Sequence, residues 1–264
     1  MGTAPTPILV STYGAGNSQD GSITRDAIDD LVAGMSSHLL IYLSAKKITP
    51  GTAPFVDRLG NAITQHTPNA TKNMSDANFN GHASVTLSTT DVAPFYTSAG
   101  GIGIGTPPVA MTNSFSLVAG IRAPSIVASG IYGDGTSSNG GIGIGMGSSG
   151  NLIALINGTT DINVGSFFSS GVTAAFYYSY DATTKIHRFG MNTTSSVSQL
   201  TGTATRTSQG ASTVCYPFGE YNTGADSGFA FNRWILFNKA YLNGAAPSDD
   251  AAFTNLISTY ATYI

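Results

Sequence analysis

Charge is what this 264-residue chain has least of. Asp, Glu, Lys and Arg together make 9% of it, against about 25% in an average soluble domain. The eleven Lys and Arg residues are scattered and the net charge is −3, so no basic footprint for nucleic acid exists. Cysteine is almost missing: Cys215 stands alone, which excludes an internal disulfide. The four histidines, His38, His66, His82 and His187, are far apart and, with that one cysteine, show no metal-ligand spacing. Glutamate occurs once, as Glu220, and no two aspartates stand at i, i+2 or i, i+4 in a strand-like run. A glycosidase needs two carboxyls facing each other across the scissile bond, so the acid count argues against that chemistry. No apolar run approaches the ~18 residues of a membrane span. The N-terminus has no basic region followed by an apolar core, so no secretory leader is expected.

Glycine, serine, threonine and asparagine fill the space that charge leaves, a mix suited to short strands joined by many polar turns. The clearest stretch is the last, residues 228–264. Phe229, Phe231, Trp234, Leu236 and Phe237 form a dense aromatic run without helical spacing, which reads as a mostly buried strand. Asn243-Gly244 and Pro247 then break the chain, and Ser248 is placed to cap a helix. Asp249 and Asp250 suit the positive end of its dipole. Phe253, Leu256, Ile257, Tyr260 and Ile264 recur on one face of that helix. Upstream, strands are expected at 38–43, 114–122, 126–132, 140–145 and 151–156. A further strand at 172–180 carries Val172, Ala174, Phe176, Tyr178 and Tyr180 on one face, and a hairpin turn at 181–185 leads into another at 186–192. The hexapeptide GGIGIG occurs twice, at 100–105 and 140–145, and reads as two glycine-softened strands rather than propeller blades.

Residues 1–36 read differently. Pro5, Pro7 and four glycines keep the first 23 irregular apart from Ile8-Leu9-Val10. Residues 24–33 suit a short helix with Ile28, Leu31 and Val32 on one side, Asp26, Asp29 and Asp30 on the other, and Gly34 to end it. These apolar patches are too small to make a core, so the segment is expected to be an arm that docks on a partner or a second copy, the alternative being that it wraps across its own sandwich.

From residue 37 onward the series resembles the concanavalin A-like, LamG-like jelly rolls. The opening strand at 38–43 is followed by Val56-Asp57-Arg58-Leu59-Gly60-Asn61 where that family has "v.D.sGnG". Phe79-Asn80-Gly81 stands in place of "inG", 114–122 in place of "ftv.a.vr", and Asp181 in place of "yDg.t". The closing strand and helix match the family's terminal signature. The resemblance implies an all-β, concanavalin A-like β-sandwich (jelly roll) with a short C-terminal helix, spanning 37–264 behind the arm. The family includes glucanases with an acidic cluster on one strand. That cluster is absent here, so no catalytic residue is carried over and the chain is expected not to be an enzyme.

Other motifs carry little. Asp76-Ala-Asn78-Phe-Asn80-Gly81 copies half a calcium loop, but Leu87 stands where the bidentate glutamate belongs, so these residues read as turn formers. The metal content is left unknown, with a calcium site built from Asp134, Asn222 and Asp226 as an open alternative to no cofactor at all. Gly145-Met-Gly147-Ser-Ser-Gly150 precedes a strand-like run, not a helix, so no phosphate cradle follows. Trp234 reads as core. The best candidate ligand loop is Tyr132, Asp134, Glu220, Tyr221, Asn222 and Asp226.

The expectation is a non-enzymatic structural protein of a virus particle: a phage capsid decoration, fibre or tail component. It would be made in the host cytoplasm and would display a lectin-like sandwich. The arm residues Ile8, Leu9, Val10, Ile28, Leu31 and Val32 would contact other virion proteins and support a homo-oligomer. Cell-surface glycans are the expected ligands, and no nucleic-acid or membrane partner is. The alternative is a carbohydrate-binding module of a cell-surface or secreted protein.

Overall fold

The aromatic run near the end of the chain becomes the central strand of the largest sheet, and layers build outward from both of its faces. The computed structural model describes residues 26–50, 55–59, 62–65, 70–88, 95–96, 113–123, 128–134, 141–206, 215–218 and 228–264. In chain order, helix α1 (Ala27–Gly34) is followed by β1 (Leu39–Ser44), β2 (Phe55–Val56), β3 (Ala62–Gln65), β4 (Thr71–Asp76), β5 (His82–Thr86) and β6 (Phe95–Tyr96). Then come β7 (Phe115–Arg122), β8 (Ser129–Asp134), β9 (Ile142–Met146), β10 (Leu152–Ile156) and β11 (Thr159–Val164). The last elements are β12 (Thr173–Asp181), β13 (Ile186–Met191), β14 (Ser198–Thr201), β15 (Cys215–Pro217), β16 (Ala230–Phe237) and α2 (Pro247–Tyr263).

One antiparallel sheet runs β14-β13-β12-β7-β16-β5-β4, with β1 also paired to β16, and a second runs β11-β10-β9-β8-β15. A small third sheet joins β2, β3 and β6. Alternation along the strands makes two cores. Leu117, Ala119, Phe176, Tyr178, Trp234 and Leu236 face the second sheet and meet Ile142, Ile144, Leu152 and Ala154 from it. Their neighbours Val118, Ala175, Tyr177, Ile235 and Phe237 face the other way and pack under the two helices. The molecule is therefore sheet, sheet and helix in three layers, with the β-sandwich at its centre.

Strand β16 keeps both faces apolar by means of a bulge. Phe231 pairs with Ile121 and Arg233 with Gly120, so Asn232 is the extra residue. Without it, Phe231 and Trp234 could not both reach the inter-sheet core. The buried Asn232 amide is satisfied: it donates to the Ala83 carbonyl at 2.6 Å and accepts from the Tyr260 hydroxyl at 3.2 Å. Gly120, opposite the bulge, lets the Tyr260 ring come so close that a side chain there would overlap it. The space is used, because the Gly120 N–H donates to the Tyr260 hydroxyl at 3.1 Å.

Helix α2 buries Phe253, Leu256, Ile257 and Tyr260, as its spacing requires. Its start differs from expectation: Pro247 opens the helix after Ala246, and Ser248 is not the cap. Asp250 instead closes the preceding turn, accepting from the Leu242 and Gly244 N–H groups at 2.6 and 2.8 Å, while Asp249 pairs with Lys239. The 76–81 segment is a turn, as read: Asp76 accepts from the Asn78 N–H at 2.9 Å and Asn80 takes φ 51°.

Helix α1 follows the alternative reading of the arm, in which the segment packs on its own sandwich. Ile28 and Val32 are fully buried in the helix-side core with Tyr42, Ile235 and Tyr260, and Leu31 packs against it. Ile28 and Val32 are thus occupied by their own sandwich and not free to anchor a partner, with Leu31 partly buried beside them. Asp29, expected on the solvent side, is buried as well. Asp26 caps the helix, accepting from the Ile28 and Asp29 N–H groups, and Asp29 returns the capping box to the Asp26 N–H. Arg58 lies 3.0 Å from Asp29, the Tyr42 hydroxyl donates to Asp29 at 2.5 Å, and Arg233 reaches Asp26 with both terminal nitrogens. The helix is pinned by charge that the polar pattern alone assigned to water. Ile8, Leu9 and Val10 lie outside the described residues.

Candidate functional site

The residues proposed as a ligand loop do not share one exposed surface. Glu220, Tyr221, Asn222 and Asp226 lie outside the described residues. Tyr132 and Asp134 are described, and both are fully buried. Tyr132 pairs with Ile144 and Asp134 with Ile142 across the ladder, which puts both side chains on the inward face of β8 with those isoleucines. That corrects their reading as solvent-facing ligand groups. A buried carboxylate needs compensation, and Arg206 supplies it from far along the chain. The Tyr132 hydroxyl also donates to Asp134, the Ile142 N–H donates at 3.2 Å, and Arg206 donates at 3.1 Å to the Asn113 carbonyl. The Arg206 guanidinium carbon lies 5.4 Å over the Phe115 ring. Burial pushes the Asp134 carboxyl up against the pull of Arg206, and it pushes the Tyr132 and Cys215 protons well up too.

A second buried chain of polar groups runs beside it. The Tyr178 hydroxyl bonds His187 Nδ1, and His187 Nε2 lies 2.9 Å from Asp161 Oδ2. The partners assign the tautomer: Nε2–H donates to the carboxylate and Nδ1 accepts from the phenol. Burial lowers the imidazole pKa, with Asp161 acting against it. Burial opposes ionisation of Asp161, yet the N–H groups of Ala204 and Thr203, at 2.9 and 2.7 Å, and the His187 ring outweigh it and hold that carboxyl down. The order of groups resembles a nucleophile–base–acid relay, but the His187 and Asp161 side chains and Tyr178 have no exposed surface. Asp161 is the bulged residue of edge strand β11 and His187 belongs to β13, so the relay laces the second sheet to the first. Sequence reading placed His187 on a strand but missed its carboxylate partner. Its only available signal was the pairing of Tyr178 and Tyr180 with the strand that follows.

Among the described residues, no group of three or more His, Cys, Asp or Glu could hold a metal ion. Accessible binding geometry lies elsewhere, at one end of the sandwich. The loop after β11 sets Phe167 and Phe168 edge to face, ring centres 4.9 Å apart. With Ile121, Ala123, Val172, Ala174 and Met191 they line a pocket against the first sheet, and the exposed Ser169 is among its lining residues. Phe168 is anchored in the core against Phe176 and Phe229. Phe167 is partly exposed, and Val172 keeps 51% of its surface in solvent. The floor is aromatic and aliphatic, and the exposed Ser169 sets a hydroxyl beside it. Such a floor takes the C–H face of a polar ring while the hydroxyl beside it meets the ring's own.

No family model matches the chain, and no curated protein matches it. Among solved structures, it is similar to the binding domain of Paraclostridial mosquitocidal protein 1, with TM-score 0.57 and 10% identity over 86% of this chain and 53% of that one. It is similar to Trypanosoma rangeli sialidase in complex with sialic acid, at TM-score 0.52 and 13% identity over 84% of this chain and 33% of that one. The botulinum neurotoxin serotype G binding domain gives TM-score 0.52 and 13% identity, covering 84% of this chain and 50% of its own. This chain thus spans about a third of the sialidase and about half of the two toxin chains. At these identities the likeness is one of fold, and the fold is a β-sandwich.

Proposed function

We propose that this chain is a non-enzymatic module that binds glycans through the Phe167 pocket. The observation that carries the reading is the arrangement of polar groups. Among the described residues, the linked Asp134–Tyr132 and Asp161–His187–Tyr178 groups are sealed inside as structural braces, while the accessible pocket combines a phenylalanine floor with the exposed Ser169 hydroxyl. The fold supports it by analogy, since neighbours of the same fold include two toxin binding domains and a sialidase holding sialic acid.

The setting we propose is the surface of a virus particle, as part of a phage decoration, fibre or tail. A charge-poor composition with a single cysteine supports this setting. Ile28 and Val32 of α1 are spent on their own sandwich, so the anchor we propose for the arm is Ile8-Leu9-Val10.

The test is a glycan array probed with the whole chain, followed by assay of released sugar from each glycan that binds. Binding without release is expected. Release at an appreciable rate overturns the non-enzymatic reading, and an array without signal overturns glycan recognition.

A further inference from the structure

We propose that β14 is a pairing edge, and that its partner is β14 of a second copy of this chain. A sheet edge offers unpaired N–H and C=O groups to any passing strand, and folded proteins block such edges with charge, proline, bulges or cover. The other edges of the two large sheets carry those devices. Strand β4 has Lys72 and an irregular register between Asn73 and Asp76. On β11 the bulge places Asp161, a charged residue, turned inward. Strand β15 is three residues long and contains Pro217. The free side of β1 is covered where the Tyr42 N–H donates to Asp57 at 2.9 Å and the Arg58 N–H to the Tyr42 carbonyl at 3.0 Å.

Strand β14 has none of them. Ser198, Gln199, Leu200 and Thr201 are all exposed, carry no charge and pair with β13 in unbroken register. The Gly202 N–H donates to the Lys185 carbonyl at 2.8 Å, which fixes the phase of the ladder: even-numbered residues face β13. Gln199 and Thr201 therefore turn their backbone groups to the open side.

That phase also selects the occupant. In a two-fold antiparallel pair centred on Leu200, Gln199 of each copy lies opposite Thr201 of the other, and each such pair exchanges two backbone hydrogen bonds. The two Leu200 side chains then meet as the closer, non-hydrogen-bonded pair. Leu200 is 41% exposed, one of three large apolar side chains so exposed among the described residues. The pairing covers it with an identical apolar group, and no like charges are brought together. Two eight-stranded sheets become one continuous sheet. A contact of this size belongs with weak, concentration-dependent dimers.

Sedimentation equilibrium of the whole chain tests this. The native chain should show a monomer–dimer equilibrium at concentrations up to about 0.5 mM, within the range of weak contacts. Leu200→Lys sets an ammonium against its own copy, and Thr201→Pro removes an outward N–H without touching the internal ladder. Each should weaken dimerisation about tenfold or more with circular dichroism unchanged. A native chain that stays monomeric throughout, or a dimer that both substitutions leave intact, overturns the proposal.

Discussion

Replacing Asp26 by alanine should cost this protein far more than a helix cap. The Asp26 carboxylate accepts from two backbone N–H groups at 3.1 and 3.2 Å, from Arg233 Nη1 at 2.9 Å and from the Tyr263 hydroxyl at 2.8 Å. Loss of the cap is worth about 1 kcal/mol. The larger part comes from Arg233, whose side chain is 1% exposed and whose Nε already has no partner. Leaving such a guanidinium uncompensated costs about 3 kcal/mol, softened by Asp29, which stays 3.7 Å away. The expected loss is about 3–4 kcal/mol, a large share of the ~5–15 kcal/mol that holds a typical domain folded. Trp234, the single tryptophan and fully buried, reports the transition by fluorescence during urea unfolding. The charge state adds a second reading. Burial alone would raise the Asp26 pKa, but Arg233 outweighs it and holds the carboxyl well below the usual carboxylate range. A carboxyl lowered on folding stabilises above its unfolded pKa of about 3.9 and loses that contribution as pH falls through the acid range. Asp26→Ala should therefore flatten the acid limb of the stability profile. A loss below about 1 kcal/mol with an unchanged acid limb would show that Asp26 is only a cap and that α1 is not pinned through Arg233.

Other consequences follow from the packing. Phe253 stacks on Tyr241 with ring centres 4.6 Å apart and is fully buried, so Phe253→Ala should cost about 3–5 kcal/mol in urea unfolding and leave the β signal in circular dichroism intact. A neutral effect would separate α2 from the sheet. Asp161→Ala strands the buried His187 Nε2–H and frees the Thr203 and Ala204 amides, and should cost about 2–3 kcal/mol with faster hydrogen exchange along β11. Unchanged exchange there would mean the lacing between sheets carries no weight.

Much of the fold was legible because period 2 and period 3.6 are local signals. The alternation of Phe176, Tyr178 and Tyr180 against Tyr177, and the Phe253–Leu256–Ile257–Tyr260 stripe, appear in the structure as the spacing required. What failed depends on partners distant in sequence. Asp134 at a strand end reads as a loop acid unless Arg206 is known to lie beside it. Asp29 reads as a solvated face unless Arg58 and Tyr42 are brought to it by β1 and the turn after β2. One signal for α1 was present and unused. Ile235 and Phe237 are as apolar as Trp234 and Leu236 on the opposite face of β16, and a sheet apolar on both faces needs cover on both. A second helix beside α2 meets that need. The Phe167 pocket had no sequence signature, because Ile121, Phe168 and Met191 come from three separate segments.

The most direct test of the account is a calorimetric titration of whichever glycan the array selects, with the native chain and with Phe167→Ala. Phe167 is partly exposed and packs edge to face on Phe168, Phe176 and Phe189, so the substitution should lower the midpoint of the Trp234 unfolding transition and leave the protein folded at the titration temperature. The account predicts that Phe167→Ala weakens binding about tenfold or more, as expected for loss of an aromatic contact surface from a shallow pocket. A native-like affinity in the folded Phe167→Ala protein would contradict it.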